Sequence, residues 1–157
     1  MRILLAITLL ALLATVPVGA QEDISQAVSW NWQLVPADAK PGSEAELVLV
    51  AKLAPKWIVY SSDFKAELGP LPVRLKRPKA SSTELVDSLR SVGARRKHDP
   101  DFNAEYGYFS ERAELRQKVR VPVDGSPVQA TLSGQACYEA DGSCHLFRQD
   151  ITVAALR

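Results

Sequence analysis

The residues with the most chemistry to offer are Cys137 and Cys144, seven positions apart near the end of a 157-residue chain with no other cysteine. Between them lies Tyr-Glu-Ala-Asp-Gly-Ser. Its Asp141-Gly142 pair is a turn signal, so the flanking segments predict a β-hairpin. Alternate side chains of a strand share a face. Counting back from Cys137 gives Gln135, Ser133, Thr131 and Gln129; counting forward from Cys144 gives Leu146, Arg148, Asp150 and Thr152. These are the mostly polar sets, while Phe147, Ile151 and Val153 fall on the other face. Both sulfurs are therefore expected on the outward side of neighbouring strands, able to pair without entering the core. Loop closure over so short a span would stabilise the fold by about 2.5 kcal/mol, less than a long-range crosslink. A modest contribution near the surface suits exchange, yet a lone cystine in an exported protein also serves as a staple. Spacing alone leaves both readings open.

The neighbouring residues add weaker signals. A nearby imidazolium lowers a thiol pKa, which makes His145 a candidate promoter of thiolate at Cys144, or a general base. Glu139 and Asp141 act in the opposite sense. Cys137, Cys144, His145 and His98 would supply metal-ligand types, but Cys144 and His145 are adjacent and point to opposite faces of a strand. No metal or organic cofactor is expected. No glycine-rich phosphate loop or serine nucleophile elbow is present, and Trp30, Trp32 and Trp57 read as core or rim residues.

The elements that must position the cysteines belong to one modest domain. The chain is 46% hydrophobic and 24% charged with a formal net charge of +1, the composition of a foldable globular protein rather than a disordered or fibrous one. It also argues against nucleic acid as a partner, since that affinity comes mainly from phosphate neutralisation. Arg2 followed by the apolar run Ile3–Val16, then small Val18-Gly19-Ala20, has the pattern of a secretory signal peptide spanning residues 1–20. The run is shorter than the ~20 apolar residues a bilayer span needs. The expected mature domain, residues 21–157, has no membrane span and occupies a compartment where cysteines oxidise.

Period-two alternation runs through that domain. Ala45, Leu47, Leu49, Ala51 and Leu53 share one face against Glu44, Glu46 and Lys52; Leu115, Val119, Val121 and Val123 alternate with Glu114, Arg116, Lys118 and Arg120. Val128–Ala136 repeats the pattern, and shorter runs cover residues 30–34, 57–61, 72–76 and 147–153. Residues 83–92 fit a strand or a helical stripe and are read as strand. Prolines 36, 41, 55, 70, 78, 100 and 127 fall between the runs, whereas Pro122 lies inside one and suggests an edge or a bulge. Seven or eight strands without a sustained helix predict an antiparallel β-sandwich. Residues 93–109, charged and then aromatic, read as a long irregular loop of the kind that carries function.

Several pieces, in order, resemble the amino-terminal periplasmic domain of the thiol:disulfide reductase DsbD. They are Trp30-Asn-Trp32, Gly42, Trp57-Ile-Val-Tyr60-Ser61, Gly69-Pro-Leu-Pro72, Asp99-Pro-Asp-Phe102 leading to Tyr108-Phe109 and Ala113, and Gln135-Ala-Cys137 through Cys144. The resemblance implies an immunoglobulin-like sandwich in the periplasm with one redox-active cysteine pair. It would relay electrons between a thioredoxin-like partner and other exported thiol proteins, a possible oxidoreductase component. Carried onto this chain, Cys144 forms the mixed disulfide and Cys137 resolves it. Tyr108 and Phe109 match an aromatic cap over the sulfurs, and Tyr60 an aromatic position near the site. A separate membrane transporter would supply the electrons. The rival expectation is a redox-silent sandwich that binds a partner while the cystine ties a hairpin.

Overall fold

Alternation becomes strand wherever the sequence shows it. The computed structural model describes residues 24–64, 69–99 and 103–154, so the expected export segment lies outside the described residues. Every described element is a strand: β1 (Val28–Val35), β2 (Glu44–Leu53), β3 (Trp57–Tyr60), β4 (Arg74–Lys76), β5 (Glu84–Ser91), β6 (Arg95–Asp99), β7 (Ala104–Ser110), β8 (Arg112–Arg120), β9 (Val128–Tyr138) and β10 (Cys144–Val153). The ambiguous stretch near residue 85 is strand. Pro122 falls just beyond β8 rather than within it, and Val121 still donates to the Ser43 carbonyl at 2.9 Å.

The stretch expected as a long loop is instead the β6–β7 hairpin, which raises the count above seven or eight. Two physical reasons hid it. Residues 95–99 are Arg-Arg-Lys-His-Asp, with no apolar member to alternate, and β6 is the outermost strand of its sheet. An edge strand needs no second neighbour, and charge on it discourages pairing with another chain.

Two antiparallel sheets result. One has the order β1-β2-β8-β5; the other runs β10-β9-β3-β7-β6, with β4 also pairing β9. This is the immunoglobulin-like sandwich. Their inner faces meet in a core that includes Leu47, Leu49, Leu115, Val119, Val59, Leu132, Phe109 and Ile151, all buried. Burial of such side chains contributes roughly 1.5–3 kcal/mol each and supplies the main drive to fold. At Gly134, opposite Phe147 in the β9–β10 ladder, a Cβ would lie 3.0 Å from the Phe147 ring. Glycine there admits the Phe147 ring close to the strand, where it meets Trp30 in a tilted contact at 5.9 Å between centroids.

Polar side chains pair backbone groups that would otherwise go unsatisfied, within one sheet and between the two. The β5–β8 register breaks between Val86 and Arg90, and the buried Gln117 amide donates to the carbonyls of Val86, Asp87 and Lys118 at 2.8, 3.1 and 2.9 Å. A buried side chain thus satisfies carbonyls that the bulge takes out of the ladder. Just after β3, Ser62 bridges to the other sheet: its N–H donates to Ser91 Oγ and its hydroxyl to the Leu89 carbonyl, both at 2.9 Å. The outward face of the β1-β2-β8-β5 sheet is laced with ion pairs, Arg116 reaching Glu46 at 2.9 Å and Glu114 at 2.7 Å, and Arg120 reaching Glu44 and Glu84, both at 3.0 Å. Arg112 and Arg116 hold the Glu114 carboxyl below its ordinary pKa, Arg116 through the stronger hydrogen bond.

Candidate active site

β9 and β10 place Cys137 and Cys144 directly opposite one another, and the sulfurs are bonded at 2.05 Å. The hairpin turn is held by the Tyr138 N–H to the Ser143 carbonyl at 2.8 Å and by the Gly142 N–H to the Tyr138 carbonyl at 2.9 Å. Gly142 takes a φ of 76°, the left-handed conformation that glycine adopts without steric penalty. Asp141 Oδ1 accepts the Ser143 N–H at 2.9 Å, and hydrogen bonds from Ser143 hold its carboxyl below the ordinary range.

The two sulfurs have different surroundings. Cys144 is exposed, on the last strand of its sheet. Cys137 is only 4% exposed, yet it lies outside the main core. It faces outward, as pleat counting requires, into a second apolar cluster with Ile58, Tyr60, Phe64 and Tyr106, against which Tyr108 packs. The register explains this grouping. Ile58 is opposite both Cys137 and Ser110, and Tyr60 is opposite Tyr108, so alternate residues of β3, β7 and β9 share the outer face. Tyr60 meets Tyr106 edge-on at 5.3 Å and Phe64 at 6.3 Å, arrangements that suit the ring quadrupoles.

Phe109 is elsewhere. It is opposite Val59 on the inner face, 2% exposed in the main core, and does not share the outer face with the sulfurs. Tyr108 is on the sulfur side, and Tyr106, two residues before it, joins it there. The residues sequence reading missed are Tyr106, Phe64 and Lys97. Period two along residues 104–110 was the signal for Tyr106; Phe64 and Lys97 carried none. His145 lies on the face opposite Cys144, its ring tilted against Trp57 at 5.7 Å, and Trp57 also meets Tyr138 at 5.6 Å. That position does not bring the imidazole beside the Cys144 sulfur. Glu139 is exposed, two residues beyond Cys137, with its carboxylate 4.0 Å from Lys97 Nζ. The same ammonium sits 5.5 Å from the Tyr106 ring centre and 5.2 Å from that of Tyr108. Lys97 thus joins the β6–β7 hairpin to the cysteine turn.

A network beneath the hairpin fixes the base of this cluster. Asp63 Oδ2 accepts from Arg96 at 2.6 Å, while Asp63 Oδ1 accepts from the Ser61 hydroxyl. Ser61 and the Asp63 carboxylate sit over Gly107, where a Cβ would lie 2.1 Å from Ser61 Oγ and 3.1 Å from Asp63 Oδ1. The Ser61 N–H donates to the Gly107 carbonyl at 2.9 Å. Among the described residues no three His, Cys, Asp or Glu gather as a metal would require, and no helix is long and apolar enough to cross a membrane.

A cystine on adjacent strands, one sulfur open and one covered by aromatic rings, has the layout of a thiol–disulfide exchange centre. The family described as the N-terminal part of the thiol:disulfide interchange protein DsbD matches residues 26–155, nearly the whole described domain. The chain belongs to the DsbD N-terminal family. Solved structures agree on the fold. The crystal structure of the Neisseria meningitidis DsbD N-terminal domain in its reduced form superposes with a TM-score of 0.54 at 15% identity, over 87% of this chain and 91% of that one. The N-terminal periplasmic domain of ScsB from Proteus mirabilis gives 0.56 at 12% identity, over 89% of this chain and 49% of that one. No curated protein matches the sequence. Membership in the DsbD N-terminal family makes thiol–disulfide interchange the chemistry to which the cysteine pair belongs.

Proposed function

We propose that this domain, exported to the periplasm by its N-terminal signal, relays electrons between a thioredoxin-like partner and other periplasmic thiol proteins through Cys137 and Cys144. The observation that carries the reading is the asymmetry of the two sulfurs. A thiolate attacks a disulfide sulfur along the S–S axis, from the side away from the leaving sulfur. For Cys144 that side is the open flank of β10, the last strand of its sheet. For Cys137 it is the flank occupied by β3, with Ile58 opposite and the tyrosines above. A partner thiolate therefore bonds to Cys144 Sγ, and the electron pair of the broken bond goes to Cys137 Sγ, which leaves as thiolate. The partner's second thiolate then attacks its own sulfur in the mixed disulfide and releases Cys144 as thiolate. The partner dithiol is oxidised and the cystine reduced. Run backward on a substrate disulfide, Cys144 attacks and Cys137 resolves. No cofactor enters either direction.

The staple reading has less support. β9 and β10 are paired along all of residues 144–153, so the cystine crosslinks strands that the backbone ladder already holds. A reduction potential well above about −300 mV, measured by equilibration with a glutathione or dithiothreitol buffer, is the expected result. A potential below that value would mark a structural bond and remove the proposal.

The aromatic cluster acts as the cover, with Tyr108, Tyr106 and Phe64 shielding Cys137 and Lys97 clasping the edge. Lys97→Met keeps the apolar stem and removes the ammonium. An exposed ion pair is worth about 0.2–1 kcal/mol and an exposed cation–π contact about 0.5–1 kcal/mol, so a combined loss of about 1 kcal/mol should let dithiothreitol reduce the variant roughly fivefold faster than the wild type. The wild-type rate should rise with salt and the variant's should not. Equal rates at every ionic strength would dissociate Lys97 from the cover.

A further inference from the structure

We infer that Leu71 and Leu146 form an apolar shoulder on which the protein partner rests while its sulfur is joined to Cys144, an inference that stands on the exchange function proposed above. Leu146 is two residues beyond Cys144 on β10 and shares its outward face, about 6.8 Å along the strand. Its cross-strand neighbour is Gln135, two residues before Cys137. The Gln135 side chain in turn accepts the Leu71 N–H at 2.8 Å, which holds Leu71 on the other side of β9. The row Leu71, Gln135, Leu146 thus runs parallel to the row Ile58, Cys137, Cys144, one pleat away.

The shoulder is apolar and open. Leu71 is 51% exposed and Leu146 58%, two of only five large apolar side chains so exposed among the described residues. One pleat further, Ser133 and Arg148 restore a polar surface, with Arg148 reaching Asp150 at 3.5 Å. The other sheet's outward face is dominated by ion pairs, with Val35 its one strongly exposed large apolar side chain among the described residues. A small apolar island bounded by polar groups is the usual anatomy of an interaction site.

The cystine says what covers it. A thiolate that approaches Cys144 over the open flank of β10 brings its surrounding surface across Leu146 when it belongs to a folded protein. A small dithiol reaches the same sulfur without touching either leucine. The occupant that fits is a thioredoxin-like protein whose reactive dithiol is rimmed by apolar side chains, because a charged rim would be desolvated against leucine without a counter-charge.

The test compares two reductants on the full domain: a purified reduced bacterial thioredoxin, and dithiothreitol. For the double variant Leu71→Ser/Leu146→Ser the second-order rate with thioredoxin should fall tenfold or more, and the dithiothreitol rate should stay within twofold of wild type. Both leucines are exposed, and the Leu71 backbone bond to Gln135 survives the change, so folding is preserved. Unchanged thioredoxin rates in the variant would overturn the shoulder while leaving the exchange function standing. Equal slowing with both reductants would also overturn it, since the leucines would then be shaping the cystine itself. A wild-type dimer in solution that the double variant dissolves would assign the surface to a second copy of this chain instead. Failure of thioredoxin to reduce even the wild type, at a potential that permits it, would overturn the exchange function and the shoulder together.

Discussion

Cys137→Ala is expected to form a lasting mixed disulfide through Cys144, and Cys144→Ala to form almost none. The measurement uses a thioredoxin-like protein with a single cysteine carried as an aromatic mixed disulfide. In Cys137→Ala the Cys144 thiolate attacks the protein sulfur, expels the coloured aromatic thiolate and stays bonded, because no neighbouring thiol remains to displace it. In Cys144→Ala the remaining thiol is that of Cys137, only 4% exposed in the native fold and packed with Tyr60, Phe64 and Tyr106, and β3 occupies the flank an incoming disulfide would need. Release of the aromatic thiolate should be roughly tenfold slower or worse, since exchange requires both thiolate and access. Both variants should remain folded. Each loses about 2.5 kcal/mol of loop-closure stabilisation at most, and the ladder from His145 to Val153 is untouched. Equal trapping by both variants would contradict the asymmetry on which the mechanism depends. Equal silence would return the cystine to the role of a staple.

Gly107→Ala is expected to be the most damaging single methyl added near the site. Its Cβ would be 2.1 Å from Ser61 Oγ and 3.0 Å from Ser61 Cβ. Ser61 is fully buried, so it cannot swing into solvent. Either the β3–β7 pairing spreads or the Ser61 hydroxyl abandons Asp63, and overpacking of this kind costs about 1–3 kcal/mol. Phe64 follows Asp63 directly, so the cover over Cys137 loosens with the same change. Urea midpoints should fall accordingly, and dithiothreitol should reduce the variant faster. Arg96→Met serves as the comparison: it removes the ion pair to Asp63 without adding an atom at position 107. Since that pair is largely exposed, its loss should cost no more than about 1 kcal/mol. A Gly107→Ala midpoint equal to wild type would show that the hairpin accommodates the methyl and that Ser61 does not hold it in place.

The strands with one face in the core were legible because burial imposes a two-residue period. Residues 44–53 and 128–136 announced both their strands and their faces, and the same parity put both sulfurs outside the core. Residues 95–99 gave no such sign, because a charged edge strand is held by backbone bonds alone. The cover was harder to read. Tyr108 and Phe109 are consecutive, and consecutive residues of a strand cannot share a face. The parity that located the cysteines would have paired Tyr108 with Tyr106 had residues 104–110 been read as strand. Lys97, Asp63 and Arg96 lie far from the cysteines in sequence and reach the site only through the β3–β7–β6 pairing. No local pattern encodes that arrangement.

Ser62 deserves a mechanical reading. Because it is bolted to Ser91 and Leu89 of the opposite layer, the segment carrying Phe64 is anchored to the whole sandwich rather than to its own sheet. Under the exchange mechanism proposed above, a partner that displaced the rings from Cys137 would meet resistance on the Phe64 side. In the cover proposed above, Phe64 is then the fixed side, and Tyr106 and Tyr108 with Lys97 are the side expected to give way.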